Sequence, residues 1–244
     1  MAGIAGIAND QAVARATQAT FSGSDDRTEI FFKPGDAVYM KIMATGAEDD
    51  DRLDEYRMYS IQRSGRWTAV LQEDDMDMSD LPKDARAQHK FGMWGFVFEI
   101  DHATQPKDRD NPGVVAEYAK DWEIVKVQGR TMFRETVNDY RIVSFGFGKD
   151  DRTWNQLAQI HYDWNDKLDS GTIRIVRTGE KLSTVYDFTA LTRTDEIPAE
   201  RIGERDELKG IGEFMIAKYG SAARVEEVAK SSEMPVSESD DLPW

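Results

Sequence analysis

Residues 171–191 read Gly171-Thr-Ile-Arg-Ile-Val-Arg-Thr-Gly-Glu-Lys-Leu-Ser-Thr-Val-Tyr-Asp-Phe-Thr-Ala-Leu191. Ile173 and Ile175 alternate with Arg174 and Val176, and Val185, Asp187 and Thr189 alternate with Tyr186 and Phe188. Between the two runs, Thr178-Gly179-Glu180-Lys181 has turn composition, so the stretch predicts a hairpin. Immediately before it the period changes. From Thr153, read as an N-cap, Trp154, Leu157, Ile160, His161 and Trp164 fall on one face of a helix about three turns long.

Working outward toward the N-terminus, the pattern is strand after strand. Val38, Met40 and Ile42 alternate with Ala37, Tyr39 and Lys41 after the turn sequence Lys33-Pro34-Gly35-Asp36. Tyr56–Gln62 and Trp67–Leu71 flank Arg63-Ser64-Gly65-Arg66, a predicted hairpin. Lys90–Asp101 alternates through Trp94, Phe96 and Phe98, and a polar loop from His102 to Gly113 follows. Trp122–Val127 and Thr131–Val137 form a second hairpin, and Arg141–Phe147 is read as a further, separate strand. Past Leu191, Pro198 leads into a helical region in which Leu208, Ile211, Met215 and Tyr219 share a face, with Gly203, Gly210 and Gly212 weakening it. No internal repeat is visible.

Strands, one helix, then a closing hairpin is the order of a small oligonucleotide-binding barrel. The expected fold is therefore mainly β: an OB-fold-type five-stranded barrel with inserted hairpins, one helix before the final hairpin, a C-terminal helical segment and a disordered acidic tail. The expected boundaries are a flexible arm over 1–28, the barrel domain over 29–193, a helical extension over 194–222 and the tail over 223–244. A sandwich of short strands is the alternative arrangement.

Composition excludes several function classes. The chain has 244 residues, net charge −15 and no cysteine, so disulfides, thiolate metal sites and cysteine nucleophiles are ruled out. No apolar run has the length of a bilayer span. Met1–Ala8 lacks a basic region and is not read as a signal peptide. Walker, dinucleotide-binding and serine-elbow motifs are absent, and His89, His102 and His161 are scattered without ligand spacing. No catalytic residue, metal or cofactor is expected, and the chain is not read as an enzyme. The acidic runs Glu48–Asp51 and Glu73–Asp75 are read as solvated loops.

The negative charge is unevenly spread. Residues 1–119 carry 13 basic and 22 acidic groups, residues 120–193 carry 12 and 11, and residues 194–244 carry 6 and 13. The middle of the chain is thus nearly neutral, and its basic residues interleave with aromatics on predicted strands. Arg57, Tyr59, Arg63, Arg66 and Trp67 share one hairpin, Lys90 and Trp94 the next strand, and Arg174, Arg177, Lys181 and Tyr186 the last hairpin. Rings that stack on bases and cations that follow phosphates are what single-stranded nucleic acid requires, and these eleven residues are the candidate DNA contacts. For any one strand aromatic, core packing outweighs a surface role by about 3:1.

The closing hairpin resembles that of tailed-phage single-stranded DNA-binding proteins, in which an Ile-x-Arg-Thr-Gly turn precedes a Thr-x-Tyr pair. Phe32-Lys33-Pro34-Gly35-Asp36 and the helix from Trp154 are similar to theirs too. The terminus Asp240-Asp241-Leu242-Pro243-Trp244 resembles the partner-binding tip of such proteins, with acidic residues before a proline and a final aromatic. The likeness spans about residues 30–191 plus the tip. It implies a non-enzymatic protein of phage DNA replication and recombination in the host-cell cytoplasm. Such a protein coats single strands without sequence preference and recruits polymerase, primase-helicase or recombinase through its tip, with Arg177, Lys181 and Tyr186 near the strand. Several members carry a cysteine-bearing zinc insert before the strand matching Lys90–Asp101. This chain does not, so hairpin and loop packing must stabilise that region. The alternative reading is an OB-fold interaction scaffold that does not bind DNA.

Overall fold

The computed structural model describes residues 28–47, 50–63, 66–71, 85–108, 110–147, 149–179 and 184–219. Residues 1–27 of the predicted N-terminal arm (1–28) and the acidic tail (223–244) lie outside them. Among the described residues nine strands form one curled open sheet, a half-barrel: β1 (Glu29–Ile30), β2 (Ala37–Ile42), β3 (Leu53–Arg63), β4 (Arg66–Leu71), β5 (Arg86–His102), β6 (Glu123–Val127), β7 (Arg130–Gly146), β8 (Thr172–Thr178) and β9 (Val185–Ala190). Two α-helices of the described residues accompany them, α1 (Arg152–Asp163) and α2 (Ile211–Tyr219). No helix among the described residues is long and apolar enough to cross a membrane.

Strand β5 is the spine. It pairs antiparallel with β7 from Lys90 to His102. Along its other edge it changes partner, meeting β3 over Arg86–Met93 and β2 over Gly95–Asp101. That exchange turns a corner and gives the sheet its curl. Beyond β2 the order continues through β8 to β9, and among the described residues no ladder joins β9 back to β7. Helix α1 fills the gap. Gln156 accepts the Phe188 amide at 2.9 Å and donates to the Tyr186 carbonyl at 3.3 Å, so a side chain supplies the edge bonds that a neighbouring strand would otherwise make.

Alternation divides the side chains between two cores on opposite faces. The inner core holds Val38, Met40, Ile42, Phe91, Met93, Phe145, Ile173 and Ile175, closed by Leu157 and Ile160 of α1. Gly95 lets the layers approach, because a Cβ there would lie 1.8 Å from the Met40 methyl. The outer core contains Tyr56, Met58, Trp94, Phe96, Phe98, Tyr140 and Ile142, and is covered by residues 197–219. Each such side chain contributes roughly 1.5–3 kcal/mol on full burial, so the C-terminal segment completes a core of its own.

Three local expectations are corrected. Thr131–Val137 and Arg141–Phe147 are one 17-residue strand, β7. Its register slips by one residue against β5 between Val97 and Glu99, where Asn138 takes a left-handed φ of 47°. Asparagine tolerates that conformation, so Val137-Asn138, opposite Phe98, makes a bulge rather than a break. His102, placed at the start of a loop, ends β5. The N-cap position is taken by Asp151, in a left-handed conformation and without a side-chain cap bond, instead of Thr153, which is buried in the first turn with its amide donating to the Phe147 carbonyl at 3.0 Å. The hairpin turn Gln128-Gly129, with φ of 51° and 78°, has the two left-handed residues of a tight two-residue connection.

The acidic run at 48–51 is more than a solvated loop. Asp51 is exposed, but the Asp50 carboxylate is 6% exposed and accepts from the Thr45 amide and hydroxyl and from the Arg52 amide, Nε and Nη2. Burial alone would raise its pKa. The bonds from Arg52 and Thr45 prevail and hold it at about 2.

Candidate nucleic-acid interface

The motif stretches at the two ends of the barrel region meet at its mouth. The Lys33-Pro34-Gly35-Asp36 turn lies against β8, with the Gly35 amide donating to the Arg177 carbonyl at 2.8 Å and the Arg177 amide to the Asp36 carbonyl at 3.1 Å. Gly35 has φ 92°, and a Cβ there would lie 2.9 Å from that of Ala103, so the turn requires glycine. The Arg177 guanidinium donates to the Phe32 carbonyl, 145 residues away in sequence, and to Thr184 Oγ1 at 3.4 Å. Tyr186 packs edge-on against Phe32 and Phe145 with centroids 5.6 and 4.7 Å apart. Burial raises its phenol pKa, and Arg177 opposes the rise. Arg177 and Tyr186 thus fasten the mouth of the half-barrel.

Arg174 has a different setting. On the outer face the register places Glu99, Tyr39 and Arg174 side by side. The Tyr39 ring has the guanidiniums of Arg134, Arg174 and Arg193 at 5.5, 5.8 and 5.7 Å from its centroid. Arg134 clamps the fully buried Asp101 through bonds of 2.7 and 3.0 Å and lies 3.2 Å from Glu99. Arg193 pairs with Asp195 at 3.2 Å and with Glu99 at 3.8 Å. Burial and then Asp101 raise the Tyr39 pKa, with Arg174 opposing. Three cations face three carboxylates, so the patch is neutral overall, but Arg174 forms no ion pair among the described residues and its buried Nε has no hydrogen-bond partner.

A groove of about 150 Å³ lies beside the mouth, lined among others by Phe31, Lys33, His102, Tyr118, Trp122 and Arg141. Phe31 is 48% exposed and Tyr118 44%. Trp122 stacks on His102 with centroids 4.2 Å apart and planes 10° from parallel, and Tyr118 meets Trp122 edge-on at 6.1 Å. His102 is held between Glu135 at 2.9 Å and Asp36 at 3.7 Å. Burial would lower its pKa, but the two carboxylates raise it, so the imidazole favours its cationic form. Lys33 on the rim, Lys107 in the neighbouring connection, and Lys126 and Arg130 on the β6–β7 hairpin are exposed and form no ion pair among the described residues. The groove therefore combines exposed ring surface with a mixed-charge lining, Lys33, His102 and Arg141 beside Glu29, Asp36 and Glu135, while Lys107, Lys126 and Arg130 stand exposed on neighbouring elements.

The sequence-predicted contacts are distributed over several places. Arg177 and Tyr186 meet at the mouth, and Arg174 belongs to the Tyr39 patch. Arg57 is exposed on β3, whereas Tyr59 on the same strand is buried. Arg63 pairs in register with Arg66, and Trp67 with Gln62, but their side chains lie outside the described residues. Trp94 is covered by residues 197–219, its indole donating to the Lys209 carbonyl at 2.7 Å, and Lys90 is half-buried in the neighbourhood of Lys218. Lys181, and Asp240, Asp241, Leu242, Pro243 and Trp244, lie outside the described residues. The groove aromatics Phe31, Tyr118 and Trp122 were absent from the predicted set. Tyr118 and Trp122 stand four apart in a polar connection without strand alternation, and an aromatic pair in such a stretch is the signal that could have found them. Among the described residues no group of three or more His, Asp or Glu could hold a metal ion.

In comparisons with protein-family models and with curated proteins, no match to this chain was found.

Proposed function

We propose that this protein binds single-stranded DNA without sequence preference, and that the half-barrel is an OB-type module. The order β7-β5-β2-β8-β9, with α1 between β7 and β8, supports the fold reading. The observation that carries the function is the groove: Phe31, Tyr118 and Trp122 offer ring surface beside Lys33, and Lys107, Lys126 and Arg130 are exposed on the adjoining connection and the β6–β7 hairpin. Stacking accepts every base, and cations bind phosphate whatever the sequence. In this reading the groove takes the strand, Arg177 and Tyr186 fix its wall, and the tip Asp240–Trp244 recruits replication or recombination proteins. The protein has no catalytic step; it coats and delivers DNA. A net charge of −15 favours the second reading, a scaffold that binds protein alone.

Titration of a fluorescent oligo-dT against salt separates the two. Single strands release counterions with a log–log slope of about −0.7 per neutralised phosphate, so phosphate contacts by Lys33, Lys107, Lys126 and Arg130 predict a slope of about −3. Phe31→Ala with Trp122→Ala is expected to weaken binding about 20-fold or more, since stacking contributes about 1–3 kcal/mol per base. A flat salt response, or full affinity in the folded double variant, would overturn the DNA reading and leave the scaffold.

A further inference from the structure

The outer face of the sheet carries Tyr56, Trp94, Phe96, Phe98 and Tyr140 on three neighbouring strands, with Phe96 opposite Tyr140 and Tyr56 opposite Lys90. Phe96 meets Phe98 and Tyr140 edge-on with centroids 5.2 and 5.0 Å apart. Lys41 lies next to Phe96 on β2. Burial pushes the Lys90 ammonium below its usual range; Glu29 opposes that shift and Lys218 adds to it. Rings interleaved with lysines on a sheet form a base-stacking platform, yet residues 197–219 lie over it.

That cover is held by side-chain packing and single hydrogen bonds, and not by a strand ladder. Its first part, a 3₁₀ stretch from Ala199 to Glu207, has no buried residue. Polar links hold it: Arg201 binds Asp139 at 2.6 Å and the Asn138 carbonyl at 3.0 Å, its own carbonyl accepts the Tyr140 hydroxyl at 2.9 Å, and Arg205 donates to the Met43 carbonyl and to Asp169, both at 2.9 Å. Among described side chains α2 buries only Ile211 and Met215, and the Ile211 amide donates to the Asp51 carbonyl at 2.8 Å. The cover forms no strand ladder with the sheet. At its far end Lys218 pairs with Glu29 and sits 5.2 Å from the centroid of Phe31, a ring that also lines the groove. A base stacking on Phe31 would compete with the ammonium for the same ring.

From this geometry we infer that residues 197–219 are a displaceable strap over a second single-strand-binding surface, built on Trp94, Phe96 and Tyr140, which the strand enters from the Phe31 groove as Lys218 is displaced. The inference rests on the proposed DNA-binding reading and extends the site from the groove across the sheet. It also gives Lys90 and Trp94 a role in the opened state.

The chain has no cysteine, so one engineered pair can lock the strap. A Cβ at Gly210 would lie 3.2 Å from that of Asp51, just short of the roughly 3.5–4.5 Å of a disulfide. The full-length variant carrying Asp51→Cys and Gly210→Cys is titrated with oligo-dT oxidised and reduced, beside the parent protein. The expected result is at least tenfold weaker binding in the oxidised form, restored by reduction. In the parent protein, backbone hydrogen exchange over residues 208–219 is expected to speed up at saturating oligo-dT. Equal affinity of the oxidised and reduced forms, or unchanged or slower exchange there, while the parent binds oligo-dT, would overturn the strap and leave the groove reading intact. A parent protein that does not bind oligo-dT would overturn both.

Discussion

Replacing Asp50 by Asn removes a buried charge that organises the turn leading into β3. Its carboxylate has a pKa near 2 against an ordinary value of 3.8, a difference worth about 2 kcal/mol at about 1.4 kcal/mol per pH unit. Because the folded value is depressed, this stability is fully present above pH 4 and is lost as pH falls from about 4 through about 2. The amide cannot reproduce the charge-assisted bonds from Arg52 Nε and Nη2 at 2.7 and 2.9 Å, and its own N–H groups face donors. Urea unfolding at a series of pH values provides the assay. At pH 7, Asp50→Asn is expected to be about 2 kcal/mol less stable than the parent, with the gap closing toward pH 2. A gap that stays constant from pH 7 to pH 2 would refute the linkage, since a purely steric effect does not titrate.

Gln156→Leu leaves the Phe188 amide and Tyr186 carbonyl of β9 without their partner. Two bonds at about 1 kcal/mol each predict a loss of about 2 kcal/mol and a Tm lower by roughly 4–8 °C by calorimetry. An unchanged Tm would mean that α1 does not close the β9 edge. Arg134→Met strands the fully buried Asp101 carboxylate and should cost about 3–5 kcal/mol in denaturant unfolding, with a large part recovered on adding Asp101→Asn. A double variant no more stable than the single one would contradict an electrostatic origin. Lys126→Ala with Arg130→Ala should reduce the oligo-dT salt slope by about 1.4 at little cost in stability, both side chains being exposed. An unchanged slope would exclude the β6–β7 hairpin from the phosphate path.

Where the chain alternates with period two or 3.6, the sequence was sufficient, because those periods report which side chains share a face of one element. Val38, Met40 and Ile42 are buried together as their spacing requires, the closing hairpin pairs Arg177 with Tyr186, and Leu157 and Ile160 face the core. The reading failed where the backbone departed from regular geometry. Asn138 looks like a strand end, yet the ladder with β5 carries the chain through it as a bulge. Asp50 looks like one more solvated acid until Arg52 and Thr45 are seen to enclose it. Two positively charged strand residues illustrate the same limit: Arg57 is exposed, while Lys90 is half-buried near Lys218, a residue more than a hundred positions later in the chain.

The sequence by itself determined the β-rich class, the order of strands, helix and closing hairpin, the absence of cysteine chemistry and the supply of rings and cations. These follow from local periodicity and composition. Tertiary structure decided which of those groups meet. Alternation assigns Trp94 and Phe96 to one face, but only packing of residues 197–219 makes that face a covered core, and only the meeting of β1, β5 and the 106–122 connection turns Phe31, Tyr118 and Trp122 into one groove. The reason is physical: a face is fixed by the dihedral angles of a few consecutive residues, whereas a contact is fixed by the closure of loops whose ends carry no local record of their partner.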